Sequence, residues 1–349
     1  MSPALATALE GAAKIAFVWG VVLGAVLPNL IWVERRMAGL IQDRPGPNRV
    51  GPFGLLQAIA DILKMFMKED VVPMYADRLL HTIAPLILLV PAMTTFAVIP
   101  FGSSIHLFGR DIPLVIADVN IGILYVFALT SIGIYGLVLA GWASNNKFAL
   151  LGGLRSSAQV ISYELAMGIA AIAVFLAAGS LRLPKVVEYQ ASGTFLGFLP
   201  LWNCFPQALG CVIFVVSAFA ETNRLPFDLP EAEAELVAGY HTEYSAFRFG
   251  MFFMAEYLNL IAASAMMATL YFGGWSLPGL HPTGILGSVI SIAVFAAKTG
   301  FFIFLFIWVR WTLPRFRFDQ LMNLGWKVFL PLALLNLIVT GALVLWGVI

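Results

Sequence analysis

The sequence predicts an all-α, polytopic membrane protein, on three observations. Hydrophobic residues fill 60% of its 349 positions, charged residues only 11%, and the mean hydropathy is +0.91, outside the range of soluble domains. Apolar runs of about 20 residues, long enough to cross a hydrocarbon core, recur along the whole length. Basic residues gather in alternate loops between those runs.

Eight spans follow, near residues 12–33, 79–100, 119–141, 158–180, 200–221, 250–272, 285–310 and 328–348. The first runs into "WVERR" without a small-residue cleavage site, so it reads as a retained span. If the loops are numbered alternately from a short outer N-terminus, the inner ones are 34–79, 141–157, 222–249 and 311–327. They hold Arg35, Arg36, Arg44, Arg49, Lys64, Lys68, Arg78, Lys147, Arg155, Arg224, Arg248, Arg315, Arg317 and Lys327, fourteen of the twenty basic residues. Arg110, Arg182 and Lys185 fall in outer loops, and Lys14, Lys298 and Arg310 within or at the end of spans. This asymmetry predicts both termini outside, with the inner loops on the cytoplasmic or matrix side. The N-terminal segment is poor in Lys and Arg and shows no transit peptide, which favours a bacterial inner membrane over an organellar one. Residues 1–349 read as a single integral membrane domain.

The first inner loop, 34–79, carries the turn "RPGPNRVGP", which cannot be helix. Beyond it Leu55, Leu56, Ile59, Ile62, Leu63, Phe66 and Met67 recur at helical spacing, with Gln57, Asp61, Lys64 and Lys68 on the other face. Such a helix is too short and too charged to span. It lies in the interface, against a partner, or as a plain surface helix. Asp61 weighs against the plain surface helix, because an acid on an otherwise cationic face adds nothing to binding anionic lipid.

Cysteine and histidine usage narrows the chemistry. Cys204 and Cys211 are the only two cysteines, and His81, His106, His241 and His281 sit singly at span ends or in loops. That pattern suits neither a metal site nor a haem held between facing helices. There is no dinucleotide fingerprint ahead of a strand, no P-loop and no CxxC. No metal, haem, flavin or nucleotide is expected in this chain.

Charges inside the spans point to function. Glu164 lies early in the fourth span, Glu221 at the end of the fifth and Glu256 early in the sixth. Because these spans alternate in direction, all three fall within a few turns of the inner surface. Each ionised acid costs roughly 2.5–3.5 kcal/mol in a span even on a lenient scale. Each taken singly also reads as a hydrogen-bonded or snorkelling helix end; three at one depth favour a proton relay. Lys298, near the middle of the seventh span, reads equally as an ion-pair partner for one of these acids or as a member of the relay. Residues 221–243, "ETNRLPFDLPEAEAELVAGYHTE", form the acidic inner loop, with Asp228, Glu231, Glu233 and Glu235 beside Arg224. Pro226 and Pro230 break its helix and Gly239 leaves a hinge.

The runs "ERRMAGLIQDRPGPNRVGPFGLLQAIADILKMFMKED", "GWASNNKFALLGGLRSSAQVISYE", "ETNRLPFDLPEAEAELVAGYHTEYS", "MAEYLNLI" and "FLFIWVRWTLPRFRFDQLMNLGWK" together resemble one family. It is the quinone-chamber membrane subunit of proton-pumping respiratory complex I, the NADH:quinone oxidoreductase, and so a translocase component. The likeness runs from Glu34 to Lys327 in one order. It implies eight spans in a half-antiporter-like bundle that forms the floor and access route of a quinone cavity. The roof would be peripheral-arm subunits carrying the iron–sulfur clusters and FMN, with small membrane subunits alongside. NADH would act only through those partners, and no nucleic acid is involved.

Carried over by position, the resemblance places Glu34, Arg35, Arg36, Asp61, Phe253 and Arg310 around a cavity for a ubiquinone-type substrate. Its lateral opening would lie among the amphipathic helix and the first, sixth and seventh spans. Glu164, Glu221 and Glu256 match the membrane carboxylate chain; Asp228, Glu231, Glu233 and Glu235 match the loop cluster that joins cavity to chain. Some relatives carry a further acid on the third span, whereas here 119–141 has none after Asp118. Two roles stand for the acidic loop: coupling quinone chemistry to proton movement, or docking basic surfaces of the peripheral arm. Three other functions also fit parts of the pattern. A stand-alone ion transporter would need no partners, a hydrogenase-type subunit would take no quinone, and a structural anchor would leave the buried charges unexplained.

Overall fold

In hydrocarbon a backbone must satisfy its own hydrogen bonds, and this chain does so as helix. The computed structural model describes residues 3–107, 110–195, 199–230, 233–278 and 284–347. Helices α1 (Pro3–Val21) and α2 (Leu27–Ile41) join through a π-helical turn, Val22–Val26, into one long rod. Then follow α3 (Gln57–Met67), α4 (Arg78–Thr94), α5 (Gly122–Ala143), α6 (Lys147–Ala178), α7 (Leu183–Ala191) and α8 (Ala208–Glu221). The series ends with α9 (Glu233–Leu236), α10 (Ala246–Tyr271), α11 (Gly284–Thr312), α12 (Phe318–Asn323) and α13 (Leu330–Leu345). Among the described residues, seven helices are long and apolar enough to cross a membrane, and α8 is a shorter apolar one. The all-α polytopic class is what the sequence predicts. Two small antiparallel hairpins lie in the connections: β1 (Ser104–Leu107) with β2 (Arg110–Pro113), and β3 (Thr194–Phe195) with β4 (Leu199–Pro200).

Local signals fix the ends. Asp77 accepts from Leu79 N and Leu80 N to start α4, and Asn146 accepts from Phe148 N to start α6. Gly179, at φ +64°, takes the left-handed turn that stops α6. Pro85 and Pro91 sit inside α4; Thr94 and Thr95 donate back to carbonyls at 90 and 91, including that of Pro91, at 3.0 Å.

Three expected boundaries move. The first inner loop does not begin at residue 34, because α2 runs on to Ile41 and carries Glu34, Arg35 and Arg36 on helix. The second inner loop, expected over 141–157, shrinks to three residues. Helix α6 starts at Lys147, ahead of the expected span, and Glu164 lies near the middle of the helix. The fifth span is helical only from Ala208. At 14 residues it measures about 21 Å, short of a hydrocarbon core of about 30 Å. Side-chain amides serve the irregular backbone before it. Asn203 donates to Leu270 O at 2.8 Å, Gln207 to Ala173 O at 2.9 Å, and Gln190 Oε1 accepts from Asn203 N and Gly273 N.

The core sits between α4, α5, α6 and α10, where Ala84, Ala140, Tyr163, Ala170, Leu260 and Met267 are fully buried. Small residues let the backbones close up. A Cβ on Gly152 of α6 would lie 2.7 Å from Tyr240 N and 2.8 Å from Gly239 Cα, so the end of the acidic loop rests directly on that helix. The loops expected on one side do meet. Arg155 pairs with Glu235, Arg315 with Asp228, Asn146 with Glu243, and Phe316 N donates to Pro226 O.

Candidate functional site

The site is organised by a cation. Leaving α8, the chain turns through 222–230 and is pinned to α6 by Gln159, whose amide donates to Ala220 O at 2.8 Å and Phe227 O at 2.7 Å. The turn drives Arg224 inward until 1% of it is exposed. Its Nη1 donates to Glu34 Oε1 of α2 at 2.8 Å, its Nε lies 2.7 Å from Glu256 Oε1 of α10, and its guanidinium rests 4.6 Å over the Tyr257 ring. Arg310 of α11 donates to the same Glu34 oxygen at 2.7 Å. Burial by itself pulls the Arg224 guanidinium down, but Glu256 and Glu34 outweigh it and hold it above its ordinary value. Two arginines and two glutamates drawn from three helices and a loop thus offset one another's desolvation.

Beside this cluster lies an apolar pocket of about 220 Å³ between α2, α3 and α10. Ile31, Ala58, Ile62, Met65, Phe253 and Met254 line it, and Arg35 and Asp61 provide its polar edge. That edge is tied: Arg35 Nη1 meets Asp61 Oδ2 at 2.5 Å and Gln57 donates to Asp61 Oδ1 at 3.0 Å. The amphipathic helix appears where the spacing predicts it, with Ile59, Leu63, Phe66 and Met67 left exposed. Two expectations shift here. Helix α11 contributes Arg310 to the ion cluster and no wall of the pocket. Arg36 donates to Pro47 O at 3.4 Å and so braces the "RPGPNRVGP" turn, and it does not line this pocket.

The remaining carboxylates form a broken line leading away. Glu164 Oε1 accepts from Ser131 Oγ at 2.5 Å and from Thr130 Oγ1 at 3.2 Å, at a groove of about 400 Å³ between α5 and α6. Thr130 also faces two internal cavities of about 30 Å³ each, room for one or two waters apiece. Glu221 and Asn259 line both, and Glu256 lines the second. The order in space is therefore Glu164, Thr130, Glu221, Asn259, Glu256, Arg224, Glu34.

In the acidic loop, Asp228 is buried against Arg315 at 2.8 Å and Glu235 meets Arg155 at 2.5 Å. Glu233 belongs to α9; its side chain, and the whole of Glu231, lie outside the described residues. Lys298 departs from the reading of it as an ion-pair partner for one of the intramembrane acids. Its ammonium donates to Phe272 O, Gly274 O and Ser276 O at 2.6–2.9 Å and sits 4.7 Å from the Trp202 ring. Among the described residues it pairs with no carboxylate. It seals the C-terminal end of α10, where carbonyls lack helical partners. Asp118, expected to be the last acid before the third span, pairs with Arg182.

The hub is the part that sequence reasoning missed. Arg224 is visible there as the sole basic residue of an acidic loop, but nothing local shows that it folds inward. Thr130, Ser131 and Asn259 are legible as polar residues within apolar runs, though being uncharged they stand out far less than the glutamates. Among the described residues no group of three or more His, Cys, Asp or Glu is placed to hold a metal ion.

Comparison with known proteins agrees across nearly the whole chain. The family described as NADH dehydrogenase matches residues 13–341. The H subunit of NADH-quinone oxidoreductase from Salinibacter ruber is 52% identical over 330 residues, covering 92% of each chain. The corresponding H subunit from Thermomicrobium roseum is 51% identical over 336 residues, 96% of each. NADH-quinone oxidoreductase subunit 8 of Rhodothermus marinus is 53% identical over 320 residues, 88% of this chain and 90% of its own.

Proposed function

The chain belongs to the NADH dehydrogenase family, and from that premise we propose how this membrane subunit of an NADH-quinone oxidoreductase works. It forms the floor and lateral opening of a quinone cavity and passes the consequences of quinone reduction into the membrane. Electrons reach the quinone from a partner subunit, since this chain is expected to hold no redox centre. One quinone takes two electrons and two protons to become quinol.

One juxtaposition carries the reading. An apolar pocket with a single tied polar edge, Arg35–Asp61, stands next to a buried ion cluster that continues through water-sized cavities to Glu221 and Glu164. The pocket suits an apolar-tailed molecule arriving sideways from lipid. Charge changes at the quinone bear on the Glu34–Arg224–Glu256 cluster, where few water dipoles screen them. The cavities next to Glu221 and Glu256 give water a place to carry the resulting proton shift. Asp228 and Glu235 are engaged with arginines of the same chain, which favours coupling over docking for that part of the loop. The basic loops would face the negative side of a bacterial inner membrane.

The test uses the assembled complex in proteoliposomes. A58F, which fills the pocket from α3, is expected to abolish or severely slow quinone reduction while the complex stays intact. E221Q is expected to leave assembly unchanged and lower the number of protons moved per electron. Normal quinone kinetics in A58F, or an unaltered proton-to-electron ratio in E221Q, would remove the corresponding half of the proposal.

A further inference from the structure

Helix α3 is held in place by very little of its own. It has 11 residues, Ala58 is the one it buries, and Leu63, Phe66 and Met67 are 57–87% exposed. Its contact at the N-terminal half is the Arg35–Asp61 pair. Beyond Met67 the chain leaves helix and runs irregularly to Asp77. Apart from half-buried Ile62 and Met65, whose Sδ lies against Gly250 of α10, little apolar packing sets where the C-terminal half of α3, and with it the far wall of the pocket, stands relative to α10.

A polar clip does so instead. Arg248, in the first turn of α10, holds Asp70 at 3.0 Å through Nε. Its Nη1 lies 3.0 Å from Nδ1 of His81 on α4. A guanidinium can only donate, so Nδ1 accepts, and the ring is neutral with its proton on Nε2, which faces Glu243 O at 3.4 Å. His81 is fully buried and stacks flat on Tyr244 at 3.9 Å, a fixed post for the arginine. Next to the clip, Val71 N donates to Ser245 Oγ at 3.0 Å, and the Phe66 ring stacks on Phe247 at 4.5 Å.

We propose that Arg248 is a positioning residue for the quinone pocket: braced by His81, it ties the exit of α3 to the head of α10 and so sets the pocket's width. This inference rests on the reading that the pocket takes the quinone's apolar tail. Arg248 itself lines no part of that pocket. It acts through Asp70 and the Phe66–Phe247 stack.

Two measurements on the assembled complex in its membrane separate the inference from the reading beneath it. The first is the rate at which an oxidant cross-links F66C to F247C, with each single-cysteine variant as control. R248A and D70N are expected to slow it, and R248K, which keeps a cation for Asp70, to stay near the parent. The second is steady-state quinone reduction without the added cysteines. R248A is expected to raise KM for a long-tailed quinone about three- to fivefold, with kcat and the KM for a short-tailed analogue nearly unchanged and R248K restoring most of the loss. Cross-linking as fast in R248A as in the parent overturns the positioning role and leaves the pocket reading intact. Slower cross-linking with no change in KM for either quinone overturns the pocket reading itself.

Discussion

Two sets of membrane carboxylates in this chain differ in what surrounds them. Glu34 and Glu256 are gripped by guanidinium groups, two on the first and one on the second, at 2.7–2.8 Å. Among the described residues Glu164 is served by the hydroxyls of Ser131 and Thr130, and Glu221 faces small cavities it shares with Thr130 and Asn259. A carboxylate between arginines is fixed as an anion and serves as structure and as a charge reference. One served by hydroxyls and water finds partners whether ionised or protonated, because a hydroxyl both donates and accepts. Under the proposed function the first set would sense charge and the second would move a proton.

The comparison can be broken most sharply at its cation. R224M takes the shared buried cation from Glu256 and leaves Glu34 with Arg310 alone, and should cost about 3–5 kcal/mol, read as loss of the chain from the assembled complex and a lower midpoint of heat denaturation. If R224M assembles and melts like the parent, the ion cluster is not what the structure makes of it. E34Q should cost less, about 2 kcal/mol, because Arg224 keeps Glu256 and both arginines keep a neutral amide oxygen as acceptor. E164Q sharpens the contrast: its amide oxygen still accepts from Ser131 and Thr130, so stability should change by under about 1 kcal/mol while proton translocation falls. Destabilisation by E164Q as large as that by E34Q would erase the distinction between the sets. The smallest effect belongs to the partly exposed Arg155–Glu235 pair, where R155A should shift stability by about 0–1 kcal/mol, within reach of a careful melting comparison.

The same contrast explains what the sequence disclosed. The spans, the amphipathic helix and the intramembrane glutamates all break a simple rule, either in periodicity or in the cost of charge in oil, so single residues betray them. Arg224 breaks none, since a basic residue in a loop is ordinary, and only the turn pinned by Gln159 carries it inside. Lys298 misled for the opposite reason. A lysine in a span demands a partner, and backbone carbonyls, which leave no mark in a sequence, supply it. At residues 34–41 and 147–157 helix runs beyond the expected spans, because charged and polar side chains there extend the helices and hydropathy marks only their apolar part.

Gly152 adds a mechanical consequence. With no side chain between them, the backbone at Gly239 and Tyr240 bears on α6 like a thumb on a lever. That helix continues unbroken for twelve residues to Glu164, a stiff arm of about 18 Å. Were the acidic loop to push there, as the proposed coupling requires, the hydroxyl-held carboxyl would feel it as displacement of the whole rod, without any charge having to travel the distance.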